Sequence, residues 1–221
     1  MKIDLANRGV VVAGGSKGIG YACAAAFVAE GARVAIVSRS RANLDAAARE
    51  LPGVHTIAAD LADAAGAKRA IDAAEDALGA IDVLVNSAGA AKRYTPAELT
   101  AEAWHAAMNA KFFSCIHPCS EALPRMASRG RGVIVNIIGM GGKVASPVHL
   151  PGGAANAALM LATAGLAAAF AAQGVRVVGI NPGSTLTGRV QQGLDAESRL
   201  TGAAPQDILA RQQARIPLGR F

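Results

Sequence analysis

Aromatic residues, charged residues and cysteines are all scarce in this chain of 221 residues. Phe, Trp and Tyr together make up 4% of the sequence, which leaves no aromatic platform for nucleic acid. The formal net charge is +6, but the basic residues are scattered, so we expect no nucleic-acid partner. Charged residues account for only 17% and hydrophobic residues for 52%. This balance argues against disorder and provides apolar surface for a core and a subunit interface.

Cysteine is too scarce to form a disulfide framework. The sequence contains Cys23, Cys115 and Cys119, which form no CxxC pair. An unpaired set of this kind fits a reducing compartment. We therefore interpret the three cysteines as packing residues, and we predict no metal site.

Long hydrophobic runs are also absent. The longest apolar stretch, residues 157–172, contains Thr163 and Gly165 and falls short of the roughly 20 residues needed to cross a bilayer. We interpret it as a buried or interfacial helix. The chain begins with charges at Lys2, Asp4 and Arg8 and turns directly into a glycine-rich motif, which leaves no room for a signal peptide. We expect a cytoplasmic protein with no membrane partner.

Short runs rich in β-branched residues alternate with longer alanine-rich runs of helical spacing. This order is typical of βαβ units and predicts a parallel sheet with helices on both faces. No composition break, repeat or linker divides the chain, so we predict one α/β domain over residues 1–221. The predicted strands are residues 10–13, 33–37, 55–59, 81–85, 133–138 and 175–180. The predicted helices are residues 18–30, 40–51, 62–78, 101–129 and 152–173.

A glycine-rich segment, GGSKGIG, lies between the first predicted strand and the first predicted helix. Its glycines permit a tight turn and a close backbone approach, so a pyrophosphate can meet the amides and the positive dipole of the helix N-terminus. The residues predicted to hold the cofactor here are Gly14, Ser16, Lys17, Gly18, Ile19 and Gly20.

The glycine spacing of this segment, GxxxGxG, resembles that of the short-chain dehydrogenase/reductase family. Three further segments resemble family motifs in the same order, each at the carboxyl end of a predicted strand, where ligands bind in open α/β sheets. For the adenosine part of the cofactor, the resemblance implies contacts from Asp60, Leu61, Asn86, Ala88 and Gly89. For the nicotinamide, it implies contacts from Pro182, Gly183, Thr185 and Thr187.

The resemblance covers essentially the whole chain and implies a Rossmann-type, doubly wound sheet. Relatives continue into another helix and a seventh strand, whereas this sequence stops at Phe221. We therefore expect the seventh strand to be missing and the C-terminal end to be incomplete. Residues 189–215 are expected to form a polar helical lid over the substrate.

The end of the second predicted strand indicates which cofactor is bound. An acid there would bond both ribose hydroxyls and favour NAD, but the sequence reads VSRSR, with no acid. Arg39 can offer a planar fork to a 2′-phosphate, and Lys17 supplies a second cation on the same side. The sequence therefore favours NADP over NAD.

The catalytic residues of the family match only in part. Family members that reduce carbonyls use an Asn, a Ser, a Tyr and a Lys. Asn109 matches the first of these, but Ile138 and Gly139 stand where the family usually has two serines. The YxxxK pair reads Gly152 and Asn156. We expect Gly152 to leave a space about the size of a phenol beside the nicotinamide, and Asn156 to keep hydrogen-bonding capacity towards ribose.

Another group must therefore transfer the proton if the chain is an enzyme. His149 lies three residues before the vacant Tyr position, and imidazole titrates near neutral pH, at about 6.5. The alternative is that His149 is simply a loop residue. Lys111 and Tyr94 are weaker candidates. Lys111 lies two residues beyond Asn109 and should face away from it on a helix. Tyr94 follows the loop after the fourth predicted strand and could reach a substrate, but an exposed loop tyrosine usually does no chemistry.

Three functions remain open. The first is an NADP-dependent oxidoreductase that acts on a small carbonyl or alcohol with a non-standard proton donor. The second is a catalytically inactive NADP(H)-binding protein, a sensor or an assembly subunit. The third is a degenerate domain that binds nothing. Small residues on the last predicted helix, such as Ala158, Ala162 and Gly165, would let two helices approach closely, which predicts a homodimer or homotetramer.

Overall fold

Six parallel strands form one sheet in the part of the chain that this computed structural model describes, residues 5–89, 92–187 and 189–221. The strands are β1 (Gly9–Ala13), β2 (Arg33–Ser38), β3 (His55–Ala58), β4 (Val83–Asn86), β5 (Gly132–Ile137) and β6 (Val175–Ile180). Their order in the sheet is β3-β2-β1-β4-β5-β6. Each predicted strand is present, with bounds within two residues of those expected. The predicted doubly wound parallel sheet is therefore confirmed.

The apolar runs of the sequence explain which strands are central. All five residues of β1 are buried, as expected for a strand with helices on both faces. β6 lies at the edge of the sheet, and the described residues contain no strand beyond it. Along β6, Val175 and Val177 are buried, whereas Val178 and Ile180 are about half exposed.

Helices cover both faces of the sheet. They are α1 (Gly18–Ala29), α2 (Arg41–Glu50), α3 (Ala64–Leu78), α4 (Ala101–Ala107), α5 (Ser114–Ser128), α6 (Leu150–Phe170), α7 (Arg189–Thr201) and α8 (Pro205–Ala214). The side chains of Ser40 and Asp63 accept backbone N–H bonds and so begin α2 and α3. Gly79 and Gly174 adopt the left-handed conformation where α3 and the turn after α6 end.

The predicted helix over residues 101–129 is not uniform. A π-helical segment, Met108–Phe113, joins α4 to α5. At its end, the Ser114 N–H donates to the carbonyl of Asn109, five residues earlier. Such single-turn π segments change which side chains face a neighbouring element, and they are frequent at functional sites.

The long apolar helix α6 packs against β6 and against the short turn Met140–Gly142. With its following turn, over Leu150–Gln173, it is the one helix in the described part of the chain that could cross a membrane by length and composition. The helix with its turn is thus longer than the apolar stretch of residues 157–172, and it passes the length needed to cross a bilayer. Leu159 and Thr163 are buried on its inner face, as in a helix that covers a sheet.

Candidate functional site

A cavity of about 550 Å³ opens along the carboxyl ends of the strands. This is the edge at which ligands bind in doubly wound sheets. The lining residues are Gly14, Ser16, Lys17, Gly18, Ile19, Val37, Ser38, Arg39, Ala59, Asp60, Leu61, Ala62, Ser87, Ala88, Gly89, Ala110, Lys111, Ser114, Ile137, Ile138, Pro182, Thr187 and Gln192. Most of the residues predicted from the glycine-rich and adenosine motifs are among them.

The N-terminus of α1 forms the middle of the cavity wall. Its first backbone amides have no partner within the helix, so they are available to an anion. Gly14 has a φ of +76°, and a Cβ there would lie 2.7 Å from the Cα of Ala88. A Cβ on Gly20 would lie 2.3 Å from the carbonyl oxygen of Gly14. Gly20 does not line the cavity; it lets the helix start close against the loop.

The adenosine end of the cavity carries exposed charges. Arg39 and Lys17 are exposed lining residues that flank the opening. Asp60 is the one carboxylate among the lining residues, and its Oδ1 accepts the N–H of Ala62 at 3.0 Å. Leu61 beside it is 5% exposed. The end of β2 contributes no acid, so nothing there would repel a 2′-phosphate.

Asn86 does not line the cavity but lies fully buried beneath it. Its Nδ2 donates to Oδ1 of Asn136 at 2.9 Å. The Nδ2 of Asn136 donates to the Thr163 hydroxyl at 2.9 Å, which in turn donates to the carbonyl of Leu159. The chain of bonds joins β4, β5 and α6. We refer to Asn86, Asn136 and Thr163 as the buried amide network.

The loop after β4 is fitted against the π-helical segment. Gly89 has a φ of +104°, and a Cβ there would lie 1.9 Å from the carbonyl oxygen of Ala110. The same carbonyl accepts the hydroxyl of Ser114 at 2.8 Å. Only glycine fits at position 89, which places the Ser87–Ala88 backbone at the cavity wall.

The segment after β6 contributes only part of its predicted residues. Pro182 and Thr187 line the cavity, and Thr187 lies beside Gly18, whose added Cβ would be 3.6 Å from the Thr187 Cγ2. Gly183 and Thr185 are exposed and lie outside the lining. The segment therefore returns towards the glycine-rich loop at Thr187.

Asn109, predicted as a catalytic residue, is exposed and does not line the cavity. Lys111, two residues later, lines it instead, and its Nζ donates to the carbonyl of Ile138 at 3.1 Å. The two side chains diverge, as their spacing predicts, but Lys111 rather than Asn109 faces the cavity. No sequence motif indicates this, because the π-helical segment Met108–Phe113 decides which side chains face the sheet.

Gly152 and Asn156 lie behind the cavity wall. Both are buried, and neither lines the cavity, so the expected phenol-sized space is not part of it. A Cβ on Gly139 or Gly141 would lie 3.4 Å from the Asn156 Nδ2. A Cβ on Gly153 would lie 2.7 Å from the carbonyl oxygen of Gly141. The 139–142 segment thus packs closely on the start of α6, and Asn156 stays outside the cavity lining.

His149 precedes α6 and packs on Gly141, where an added Cβ would lie 2.9 Å from the His149 Cδ2. It does not line the cavity. Burial, together with the nearby charges of Arg93 and Lys111, lowers the pKa of His149 to about 4. The expected titration near neutral pH is therefore wrong, because at that pH the ring is uncharged.

The two tyrosines lie elsewhere. The hydroxyl of Tyr21 donates to Glu50 on the surface, and Lys92 lies 5.2 Å from the centre of the Tyr94 ring. Neither lines the cavity. Burial raises the pKa of Cys115 to about 11 and that of Cys119 to about 12, so both remain thiols in the core, as packing residues would.

Sequence comparison finds relatives over the whole chain. A family model described as short chain dehydrogenase matches residues 8–198. The 2-(S)-hydroxypropyl-CoM dehydrogenase 3 of Xanthobacter autotrophicus is 33% identical, over 100% of this chain and 86% of its own length. The L-xylulose reductase of Bos taurus is also 33% identical, over 100% of this chain and 86% of its own length.

Solved structures show the same fold. A variant of actinorhodin polyketide ketoreductase with NADPH superposes with a TM-score of 0.92 at 26% identity, over 100% of this chain and 87% of that one. L-Sorbose reductase from Gluconobacter frateurii, complexed with NADPH and L-sorbose, has a TM-score of 0.86 at 28% identity, over 99% and 86% of the two chains. The family match, the strand order and the cavity agree, and the chain is therefore a member of the short-chain dehydrogenase/reductase family.

Proposed function

We propose that this protein is an NADP-dependent oxidoreductase that passes hydride between the dinucleotide and a small carbonyl or alcohol. The observation that carries the proposal is the continuous cavity from Arg39, past the N-terminus of α1, to Pro182 and Thr187. The two relatives named above, which this chain covers over 86% of their length, are a 2-(S)-hydroxypropyl-CoM dehydrogenase and an L-xylulose reductase. Two structural neighbours were solved with NADPH.

The choice of NADP rests on the adenosine end. Arg39 and Lys17 are exposed at the cavity opening, where a guanidinium and an ammonium can pair with a 2′-phosphate. The ribose of NAD would find no acid at the end of β2. Gly14 and Gly89 let the loops that line the cavity pack closely, since a Cβ at Gly14 would meet the backbone of Ala88 and a Cβ at Gly89 the carbonyl of Ala110.

A catalytically inactive NADP(H)-binding protein is the second candidate, and one observation favours it. Gly152 and Asn156, which stand where the resemblance places Tyr and Lys, are buried away from the cavity. Of the residues that the structure describes, no tyrosine lines the cavity. Proton transfer would therefore need a group that the family does not ordinarily use.

Two measurements on one sample test these candidates. Fluorescence titration should give NADPH an affinity at least about tenfold higher than that of NADH, or about 1.4 kcal/mol. The same protein is then assayed with NADPH and a panel of ketones and aldehydes, and with NADP and alcohols. Turnover of any member supports the enzyme. Tight NADPH binding without turnover supports the binding protein, and equal affinities would count against NADP.

We also propose a homodimer or homotetramer formed through α6. One face of that helix is exposed and consists of small or apolar residues, among them Ala157, Leu161 and Gly165. Leu161 is 77% exposed within this continuous apolar face, and a contiguous apolar patch of this kind is typical of an interaction surface. Light scattering should show an oligomer that Leu161→Glu dissociates; a monomer at all concentrations would contradict the proposal.

A further inference from the structure

Lys111 is the one titratable side chain at the nicotinamide end of the cavity lining, within the residues that the structure describes. The other titratable lining residues, Lys17, Arg39 and Asp60, lie at the pyrophosphate and adenosine positions. Thr187 and Gln192 share the nicotinamide end with Lys111, but an aliphatic hydroxyl or an amide is a far weaker acid than an ammonium. An acid at this end must therefore be sought in Lys111.

The backbone fixes where the ammonium stands. Lys111 reaches across from the π-helical segment, and its Nζ donates to the carbonyl of Ile138 at 3.1 Å. The next residue, Gly139, has a φ of +118° and presents no side chain. The ammonium carries three N–H donors, and it gives one of them to the carbonyl of Ile138. Its contact with Ile138 sets it at the carboxyl end of β5, beside the lining segment that contains Pro182.

Two cations lie near this point, and one carboxylate, Glu197 on α7, acts electrostatically on Arg93. Lys111 and Arg93 both act electrostatically on His149, so the two cations lie near the same ring. Arg93 also lies against Gly193 of α7, where a Cβ would be 3.0 Å from its Nε. His149 is uncharged at neutral pH, because its pKa is about 4. Fixed positive charge near a reacting oxygen stabilises the negative charge that develops there.

We propose that Lys111 is the catalytic acid, and that its Nζ protonates the substrate oxygen during carbonyl reduction. The proposal rests on the oxidoreductase function. A bound NADPH would supply the hydride, and with it the two electrons that form the new C–H bond. As the carbon–oxygen π bond breaks, its electron pair moves to the oxygen, which takes a proton from the ammonium of Lys111. The resulting neutral amine regains a proton from water.

The first test compares three variants in the active protein. Lys111→Ala should lower kcat by roughly 10²–10⁴, as expected for loss of a general acid. Lys111→Arg keeps the positive charge but gives up no proton, so it should be as impaired as Lys111→Ala. Lys68→Ala, which removes an exposed lysine paired with Asp72 on α3, is the matched control and should retain full activity. Added primary alkylamines should partly restore Lys111→Ala alone.

The second test does not depend on turnover. The wild-type protein is acetylated with limiting acetic anhydride, and the modified lysines are quantified by mass spectrometry. With NADPH at ten times its Kd, acetylation of Lys111 should slow about tenfold, whereas acetylation of Lys68 should not change.

Each outcome decides the proposal. Unchanged Lys111 labelling with NADPH, or a loss in kcat below about fivefold for Lys111→Ala, overturns the role of Lys111 and leaves the oxidoreductase standing. An active Lys111→Arg variant shows that only charge is needed and overturns proton donation. A wild-type protein that turns over no substrate overturns both proposals together.

Discussion

The two ends of the cavity differ in how closely they follow the sequence motifs. At the adenosine and pyrophosphate end, the glycine-rich loop, Arg39 and Asp60 all line the cavity, as predicted. At the nicotinamide end, Asn109, His149 and Asn156 do not, whereas Lys111 does. The first end is built from backbone amides and glycines at strand ends. The second depends on which side chains the π-helical segment Met108–Phe113 and the start of α6 turn towards the cavity.

This difference has a physical cause. A pyrophosphate site uses main-chain groups and the absence of side chains, so a local motif almost suffices to specify it. A catalytic site needs side chains from separate elements within hydrogen-bonding reach of one another. Here the π-helical segment Met108–Phe113 and the close packing of the 139–142 segment on α6 decide that geometry. The following experiments test this difference between the two ends of the cavity.

The largest effect is expected from Gly20→Val. The added side chain collides with the carbonyl oxygen of Gly14, which lies 2.3 Å from a Cβ at this position, and pushes α1 away from the loop. NADPH affinity should fall about 1,000-fold, or about 4 kcal/mol, in an isothermal titration. Ala46→Val, at an exposed position of α2, is the control. It should leave NADPH affinity unchanged. A wild-type NADPH affinity in Gly20→Val would contradict the conclusion that close backbone packing forms the pyrophosphate end of the cavity.

The buried amide network should affect stability rather than cofactor choice. Asn136→Ala removes the acceptor of Asn86 and the donor to Thr163, both of them buried. The free energy of unfolding in urea should fall by about 2–3 kcal/mol. The exposed Thr185→Val should change it by less than about 0.5 kcal/mol. If Asn136→Ala altered the NADPH-to-NADH preference and left stability unchanged, the network would act in cofactor binding, and Asn86 would be a binding residue rather than a structural one.

Arg39 should account for most of the cofactor preference. Arg39→Ala should remove most of a tenfold difference between NADPH and NADH, about 1.4 kcal/mol, because it withdraws the guanidinium from the 2′-phosphate. Arg41→Ala is the matched control, since Arg41 instead donates to the hydroxyl of Thr56 on β3. Fluorescence titrations of both variants with both dinucleotides give the result. An unaltered ratio in Arg39→Ala would assign the preference to Lys17.

The smallest effect concerns His149 and is read by NMR. Arg93 lowers the pKa of His149, so Arg93→Ala should raise it above its value of about 4. Burial is the largest cause of the shift, so the value should stay below the usual 6.5 or so. Arg39→Ala, at the adenosine end of the cavity, should leave the pKa of His149 unchanged. A resonance of His149 that titrates near 6.5 in the wild-type protein would contradict the neutral ring.

The same pKa predicts a pH dependence of stability. Between about pH 6.5 and pH 4, the unfolded chain binds a proton at His149 and the folded chain does not. The free energy of unfolding should therefore fall as the pH is lowered through this range. His149→Ala removes that contribution. Urea unfolding at several pH values should show a shallower decline for the variant than for the wild-type protein.

Most of the fold could be predicted from the sequence, and the reason is local. Strands such as β1 are apolar on consecutive residues, and Gly31, Gly79 and Gly174 mark the helix ends with positive φ values. The parallel order follows from the βαβ alternation. Helix boundaries shifted slightly where a side-chain cap fixed them, as Asp63 does for α3. None of this required knowledge of distant contacts.

The doubly wound sheet and the pyrophosphate loop follow from the amino-acid sequence alone, because both depend on periodicity and on glycines within a few residues. The folded chain was needed to show which of Asn109 and Lys111 faces the cavity, and that the His149 ring is uncharged. The first depends on a π-helical turn whose direction is set by packing against the loop at Gly89. The second depends on burial and on two cations distant in sequence, Arg93 and Lys111. Electrostatic fields and helix rotation arise from residues that meet only when the chain is folded.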